Sequence, residues 1–290
     1  MTTKYLIESN LSEKQIEADV ATFFGMCTIA TKSVKAFRLL DIDEQKTGAD
    51  KLFDCATPIY MQFKKSRGLR SVHEVSISSR KNRSKLEDIR NFRDINNLEQ
   101  NPSLYFKLHK KAKTANELQH NILLSYENPP WSRAIYVAPL LLDKDAYYNA
   151  LCKSAPRIIH TPFFDLNYSI HQRNWISYFG LAPFLKEHIS IPPHERVSND
   201  NHYYAYSESG VDISWHSPQV IKQEPSRLSD FYNNLFNTVI NNEEAMLPQK
   251  ELAERINRIS TEFGYQPDKN DDSPISNLKK HGDWLRETYN

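Results

Sequence analysis

Residues 48–66, GADKLFDCATPIYMQFKKS, hold two short runs in which apolar and polar side chains alternate around CATP. Alternation with period two marks a strand whose two faces differ. Pro58 opens the second run, where a missing N–H does least harm. Residues 49–54 and 59–65 are therefore expected to form the arms of an antiparallel hairpin. With the turn centred on residue 56, Asp50 stands opposite Gln62, and directly paired residues share a face. One face then carries Asp50, Leu52, Asp54, Tyr60, Gln62 and Lys64, and the other Phe53, Ile59, Met61 and Phe63. The second face is a core surface. The first reads either as a wet polar face or as a place where a carboxylate, an amide oxygen and an ammonium meet a metal ion and a phosphate.

The rest of the chain can supply the core such a hairpin needs. Of 290 residues, 39% are hydrophobic and 11% aromatic, enough for one large domain or two ordinary ones. Glycines number only 7, and neither G-x-G-x-x-G nor G-x-x-x-x-G-K-[ST] occurs, so phosphate-loop nucleotide hydrolysis is not expected. Cys27, Cys55 and Cys152 form no C-x-x-C pair; a disulfide framework or Cys-rich zinc site is not expected, and a reducing compartment fits better. MTTKYLIESN has no apolar signal core, and no stretch approaches the ~18 apolar residues of a membrane span, so a cytoplasmic protein is expected. His188, His194, His202 and His216 lack zinc-site spacing and read as structural. No G-x-S-x-G serine motif is present.

Along the chain, residues 12–24 read as a helix with Ser12 as N-cap, an apolar stripe of Ile16, Val20, Phe23 and Phe24, and Gly25 as the stop. Residues 34–42 look extended, and DEQKTG reads as loop. Residues 83–100 and 103–124 read as two helices separated by NPS. AIYVAPLLL (134–142) has the apolar run of a buried strand. DAYYNALC reads as a short helix and HYYAYSESGVDISWHS (202–217) as a hairpin. RLSDFYNNLFNTVI and LPQKELAERINRISTEF read as helices. A boundary near 145 would separate a core (1–145) from an accessory α+β region (146–290), with one continuous domain as the alternative.

A helix bearing an acid, then a strand, then G-x-D, then Q-x-K on a strand, then helices: this order resembles the PD-(D/E)XK nuclease superfamily. It is most similar to the Mrr-like branch, in which Gln replaces the usual second acid. IEADVATFFGM (16–26) is similar to the branch's first helix, GAD (48–50) to its metal-binding motif and QFK (62–64) to its Q-x-K. The likeness covers roughly residues 12–66. It implies an α/β (mixed α+β) fold with a restriction-endonuclease-like core, a central mixed sheet flanked by helices. It also implies an endonuclease that hydrolyses DNA phosphodiester bonds with Mg²⁺ or Mn²⁺, and bacterial defence against phage would suit such an enzyme.

Under this resemblance Asp50 is the main metal ligand. Gln62 stands at the second acidic position, with the Phe63 backbone carbonyl as a further ligand, and Glu17 approaches from the helix. Lys64 is the catalytic lysine, placing the attacking water and offsetting charge that develops on the phosphate. On a wheel of about 100° per residue, Glu13 falls nearer the centre of the apolar stripe than Glu17, so either acid is a candidate. Asp41, Asp43, Glu44 and Asp54 are further acids close by. Gln62 keeps a second reading open, a nuclease-like subunit that binds nucleic acid or a protein without cutting.

Net charge is +1, yet residues 62–113 hold 14 Lys and Arg against 5 Asp and Glu, so the remainder is acidic. Lys65, Arg67 and Arg70 follow the motif directly; Arg80, Lys81 and Arg83, then Lys110 and Lys111, extend the block. Such cations hold phosphates and carry little sequence information. DNA is the expected partner, with RNA or a partner protein as alternatives.

Overall fold

The computed structural model of the chain describes residues 4–28, 39–77, 84–111, 115–129, 131–151, 183–215, 219–221, 226–231, 234, 247–262 and 274–289. Two six-stranded sheets organise them. The first runs β12 (Ser226–Arg227), β8 (His188–Ile191), β7 (Arg133–Pro139), β4 (Ile59–Phe63), β3 (Lys51–Phe53), β2 (Leu39–Asp41). Here β4 and β7 are parallel and every other pairing is antiparallel. The second sheet is wholly antiparallel: β1 (Leu6–Ile7), β5 (Arg67–Leu69), β6 (Ser103–Lys107), β9 (Tyr203–Ser207), β10 (Ile213–Trp215), β11 (Gln219–Val220).

The hairpin has its expected register. Lys51 pairs with Met61 and Phe53 with Ile59, which sets Asp50 opposite Gln62. Phe53, Ile59, Met61 and Phe63 face helix α1 (Glu13–Thr28) and pack against Ile16, Val20, Phe23 and Phe24. The polar face is covered in part: Gln62 and Lys64 are buried, while Asp50, Leu52, Asp54 and Tyr60 keep some exposed surface. The second sheet packs on the neighbouring strand, where Ala134, Tyr136 and Ala138 of β7 meet Leu104, Phe106, Tyr204, Tyr206 and Trp215. AIYVAP is therefore buried on both faces, as a strand in a parallel pair usually is. On the outer side of the second sheet, Ile89 of α3 (Lys85–Ile95) meets Tyr105, Leu69 and Ala205. The layers are α1, first sheet, second sheet, α3.

Several segments differ from the sequence reading. Residues 103–107 form β6, and among the described residues of the second expected helix only those of Gln119–Ser125 (α4) are helical. SLYFK is buried on both faces, but it is only five residues long, and Leu104, Leu108 and Leu118 fall near helical spacing in the sequence. Gly25 does not stop α1, which continues to Thr28. DEQKTG contains a helical turn, α2 (Glu44–Thr47), capped by the Asp43 side chain at Gln45 N–H and closed by Gly48 at φ 69°. A Cβ on Gly48 would sit 2.5 Å from the Gln119 carbonyl oxygen and 2.7 Å from the Leu123 nitrogen. Only glycine lets α2 approach α4 this closely and turn into β3.

The hairpin at 202–217 is present as β9 and β10, with Gly210 at φ 71° in the turn. Helices cover residues 144–151 and Gln249–Glu262, as expected, and Pro274–Tyr289. Most of RLSDFYNNLFNTVI lies outside the described residues. Strands from either side of residue 145 share both sheets, β6 with β9 and β7 with β8. Among the described residues no helix is long and apolar enough to cross a membrane.

Two cations of the basic block are structural. Arg93 is fully buried, donating to Ser103 Oγ (3.0 Å), the Ala205 carbonyl (3.1 Å), Ser214 Oγ (3.2 Å), the Glu99 carbonyl (2.6 Å) and the Asp212 carboxylate. Arg90 donates to the carbonyls of Arg70, Ser71 and Val75 and lies over the Tyr5 ring. Both pin α3 to the second sheet.

Two histidines are buried and neutral. His120 Nε2 donates to the Glu195 carbonyl and Nδ1 accepts from the Tyr136 hydroxyl, each at 2.8 Å. His188 Nδ1 donates to the Phe184 carbonyl and Nε2 accepts from the Tyr147 hydroxyl, each at 3.1 Å. Burial pushes both imidazoles down to about 4. The unfolded chain, with ordinary histidines, takes up these protons first, so stability is lost as pH falls from about 6.5 toward 4. Asp50, pushed up to about 6, acts with the opposite sign, regaining stability as pH falls through 6. The three together are expected to cost roughly 2 kcal/mol between pH 7 and pH 5. Urea titrations at the two pH values check this; an unchanged midpoint would contradict it.

Candidate functional site

Where β4 ends, its chain crosses from the first sheet to the second, and the hairpin's polar side chains gather at that crossing. Phe63 N–H donates to Asp50 Oδ2 at 2.6 Å, and Asp50 N–H to the Met61 carbonyl at 2.9 Å. A residue's N–H and C=O point to the same side of an extended strand, so the Phe63 carbonyl lies on the Asp50 side of β4. Lys64 N–H donates to the Val137 carbonyl at 2.8 Å, which holds the crossing against β7. Two residues on, Ser66 Oγ donates to the Pro139 carbonyl and accepts from the Tyr206 hydroxyl, joining the sheets.

Gln62 and Lys64 are each 1% exposed. Gln62 Nε2 is buried and without a hydrogen-bond partner. The Lys64 amine lies 3.1 Å from His109 Nδ1 and 3.3 Å from Nε2. His109 Nδ1 is 3.2 Å from Gln119 Oε1, and Gln119 Nε2 donates to the Glu44 carboxylate. Glu13 reaches in from the start of α1: its Oε1 accepts from Lys65 N–H at 3.0 Å and its Oε2 lies 3.6 Å from His109 Nε2.

Burial sets the electrostatics. It pushes the Asp50 carboxyl up to about 6, against the Phe63 N–H and the Lys64 charge, while Glu44 and Glu17 add to the rise. It pushes the Lys64 ammonium down, against the carboxylates of Glu13, Asp50 and Glu44. His109 is lowered by burial and then by Lys64, against Glu13. The buried Lys64 amine thus meets the partly exposed His109 imidazole and Glu13 carboxylate and the Asp50 carboxyl at the edge of the interior, a setting in which protonation states are readily moved.

Of the residues expected from sequence, Asp50, Gln62, Phe63, Lys64 and Glu13 come together. Glu17 does not join them. It pairs with Lys51 at 3.0 Å, alongside Asp41. The reason is the face α1 occupies: Lys51 shares the helix-facing side of β3 with Phe53, so an acid in the middle of the helix meets Lys51. Glu13, one turn earlier, reaches beyond the end of β4. His109 and Gln119 were not anticipated. His109 lies in the segment read as helix, and KLHKKAK registers in sequence only as charge.

The cation block divides. Lys65 is half-buried beside the site, and Lys110 and Lys111 are exposed just after His109, with Lys111 Nζ donating to the Asn116 carbonyl. Arg67 and Arg70 follow the chain into the second sheet, where they pair with Glu8 and Glu74, each at 3.4 Å. Arg80, Lys81 and Arg83 lie outside the described residues.

Among the described residues no three His, Cys, Asp or Glu side chains form a cluster able to hold a metal ion. The oxygen donors at the β4 end are the Asp50 and Glu13 carboxylates, the Phe63 carbonyl and the Gln62 amide, with the His109 imidazole beside them. Turning that amide over places its oxygen where the unpartnered nitrogen now points. Oxygen donors of this kind suit a hard cation that keeps several waters, as Mg²⁺ does.

No protein-family model, no curated protein and no solved structure matches the chain.

Proposed function

We propose that the chain is a metal-dependent nuclease that hydrolyses DNA phosphodiester bonds with Mg²⁺ or Mn²⁺, of the kind that serves bacterial anti-phage defence. The observation that carries this reading is the meeting of Asp50, Gln62 and Lys64 on one face of the hairpin, with Glu13 closing over the end of β4. The succession α1, β2, β3, β4, then β7 parallel to β4, supports a restriction-endonuclease-like core.

Asp50, Gln62, the Phe63 carbonyl and Glu13 would hold the cation, which when bound polarises the phosphate and acidifies its water. Asp50 also fixes the strand end through the Phe63 amide. Lys64, carried rigidly by β4 and shielded from solvent, stabilises charge that develops on the phosphate. Lys65, Lys110 and Lys111 hold the DNA backbone.

Asp50→Asn tests the reading, because the amide oxygen can still accept from Phe63 N–H and keep the fold. Cleavage in Mg²⁺ or Mn²⁺ is expected to fall by at least about 1000-fold, a loss in the range seen when one electrostatic catalytic group is removed. Mn²⁺ binding by calorimetry is expected to weaken in parallel, while DNA binding persists and declines steeply with added salt. Undiminished cleavage in the variant, or cleavage by wild type in EDTA, rejects the reading.

The depth of Lys64 and the lack of an acidic triad among the described residues favour a second reading, a nuclease-like subunit that binds nucleic acid or a partner without cutting. Its signature is salt-sensitive DNA binding with no cleavage under either cation.

A further inference from the structure

We propose that His109 is a positioning residue for Lys64 in this reaction, and that Gln119 and Glu44 fix the imidazole edge it presents. The inference rests on the nuclease reading and adds a residue to it. A lysine side chain has four rotatable bonds, and an ammonium has three hydrogens to place. Inside the fold, the Lys64 amine hydrogen-bonds to the His109 ring.

The orientation of that ring follows from its neighbours. Gln119 Nε2 donates to the Glu44 carboxylate, so Gln119 Oε1 is the end that faces His109. An amide oxygen only accepts, so Nδ1 carries the hydrogen and Nε2 keeps the lone pair. With Nδ1 so occupied, Nε2 at 3.3 Å is the ring nitrogen left to accept from the amine, and Glu13 Oε2, 3.6 Å from Nε2, adds its charge to the same ammonium. Glu44 and Gln119 themselves meet because α2 and α4 are in contact at Gly48. A chain of contacts runs from α2 through α4 and the loop after β6 to the end of β4.

Without His109 the amine has no side-chain hydrogen bond among the described residues, and its distance from Asp50 is no longer fixed. A misplacement of about 1 Å in such a group costs roughly 100-fold in rate. His109→Leu is therefore expected to lower kcat by about 100-fold with KM for DNA nearly unchanged. His109→Gln, whose amide oxygen can replace the Nε2 acceptor, is expected to recover most of that loss. In a Lys64→Met background His109→Leu is expected to cost nothing further, because two groups acting through one contact are not additive. The His109 side chain is 43% exposed, so these variants should fold.

A second readout does not need cleavage. Lysines are acylated with an N-hydroxysuccinimide ester and scored by peptide mass spectrometry. Lys64 is expected to react slowly in wild type and severalfold faster in His109→Leu and in Gln119→Ala, with exposed Lys250 unchanged as the reference. Unchanged Lys64 acylation in both variants overturns the proposal whatever the cleavage result. So does an equal kcat loss from His109→Leu with and without Lys64. Faster acylation in a protein whose wild type does not cut upholds the contact and overturns the nuclease reading alone.

Discussion

Lys64→Met is expected to abolish cleavage, by at least about 1000-fold, while leaving the protein as stable as wild type or more so. The two side chains are of similar length, so the space at the end of β4 stays filled. What disappears is an ammonium held out of water, whose desolvation costs several kcal/mol before its carboxylate neighbours offset it. Asp50 keeps its bond to Phe63 N–H, and His109 and Glu13 reach solvent, so no group is left stranded. Natural proteins tolerate such an unfavourable burial mainly where function demands it. Urea denaturation alongside the cleavage assay separates the cases: a variant that loses several kcal/mol would make Lys64 a structural residue and remove it from the chemistry.

Arg93→Leu lies at the other extreme. It is expected to lower unfolding free energy by about 3–5 kcal/mol, the range for removing one partner from a buried ion pair. The guanidinium joins α3, β6, β9 and the turn before β10 through five acceptors. Leucine satisfies none of them, and Asp212 keeps a charge without its counter-ion. The double variant Arg93→Leu, Asp212→Leu is expected to regain part of the loss, since the uncompensated carboxylate goes too. Arg67→Ala, which removes an exposed pair with Glu8 and a bond to the Tyr105 side chain, is expected to change stability by less than about 1 kcal/mol. If Arg93→Leu behaved like Arg67→Ala in urea, the buried network would not be what secures α3.

The contrast between these two cations shows what sequence can and cannot supply. In a list of charges Arg93, Arg90 and Arg67 are equivalent members of a basic block, and only the packing of α3 separates scaffold from surface. The hairpin was legible to the residue, because period-two alternation and a short turn leave one register that buries Phe53, Met61 and Phe63 together. What packs on the far side of the first sheet was not legible, since the second sheet is assembled from segments far apart in the chain. Residues 103–107 read as helix because Leu104 and Leu108 stand four apart, and a five-residue run is too short for its alternation to outweigh that spacing. Which of Glu13 and Glu17 lies near the β4 end follows from the face of the sheet that α1 covers, where Lys51 pairs with Glu17. His109 left no local trace, being 45 residues from the lysine it contacts.

The interleaving of the two sheets has a consequence for how the protein is made. As the chain leaves the ribosome, β6 and β7 emerge well before β8 and β9, the neighbours that pair with their open sides. At roughly 5–20 residues per second, two apolar strands wait several seconds with unpaired backbone at their edges. Nascent protein in that interval is a natural client for chaperones, and a message broken near its midpoint yields a fragment prone to aggregate instead of a working half.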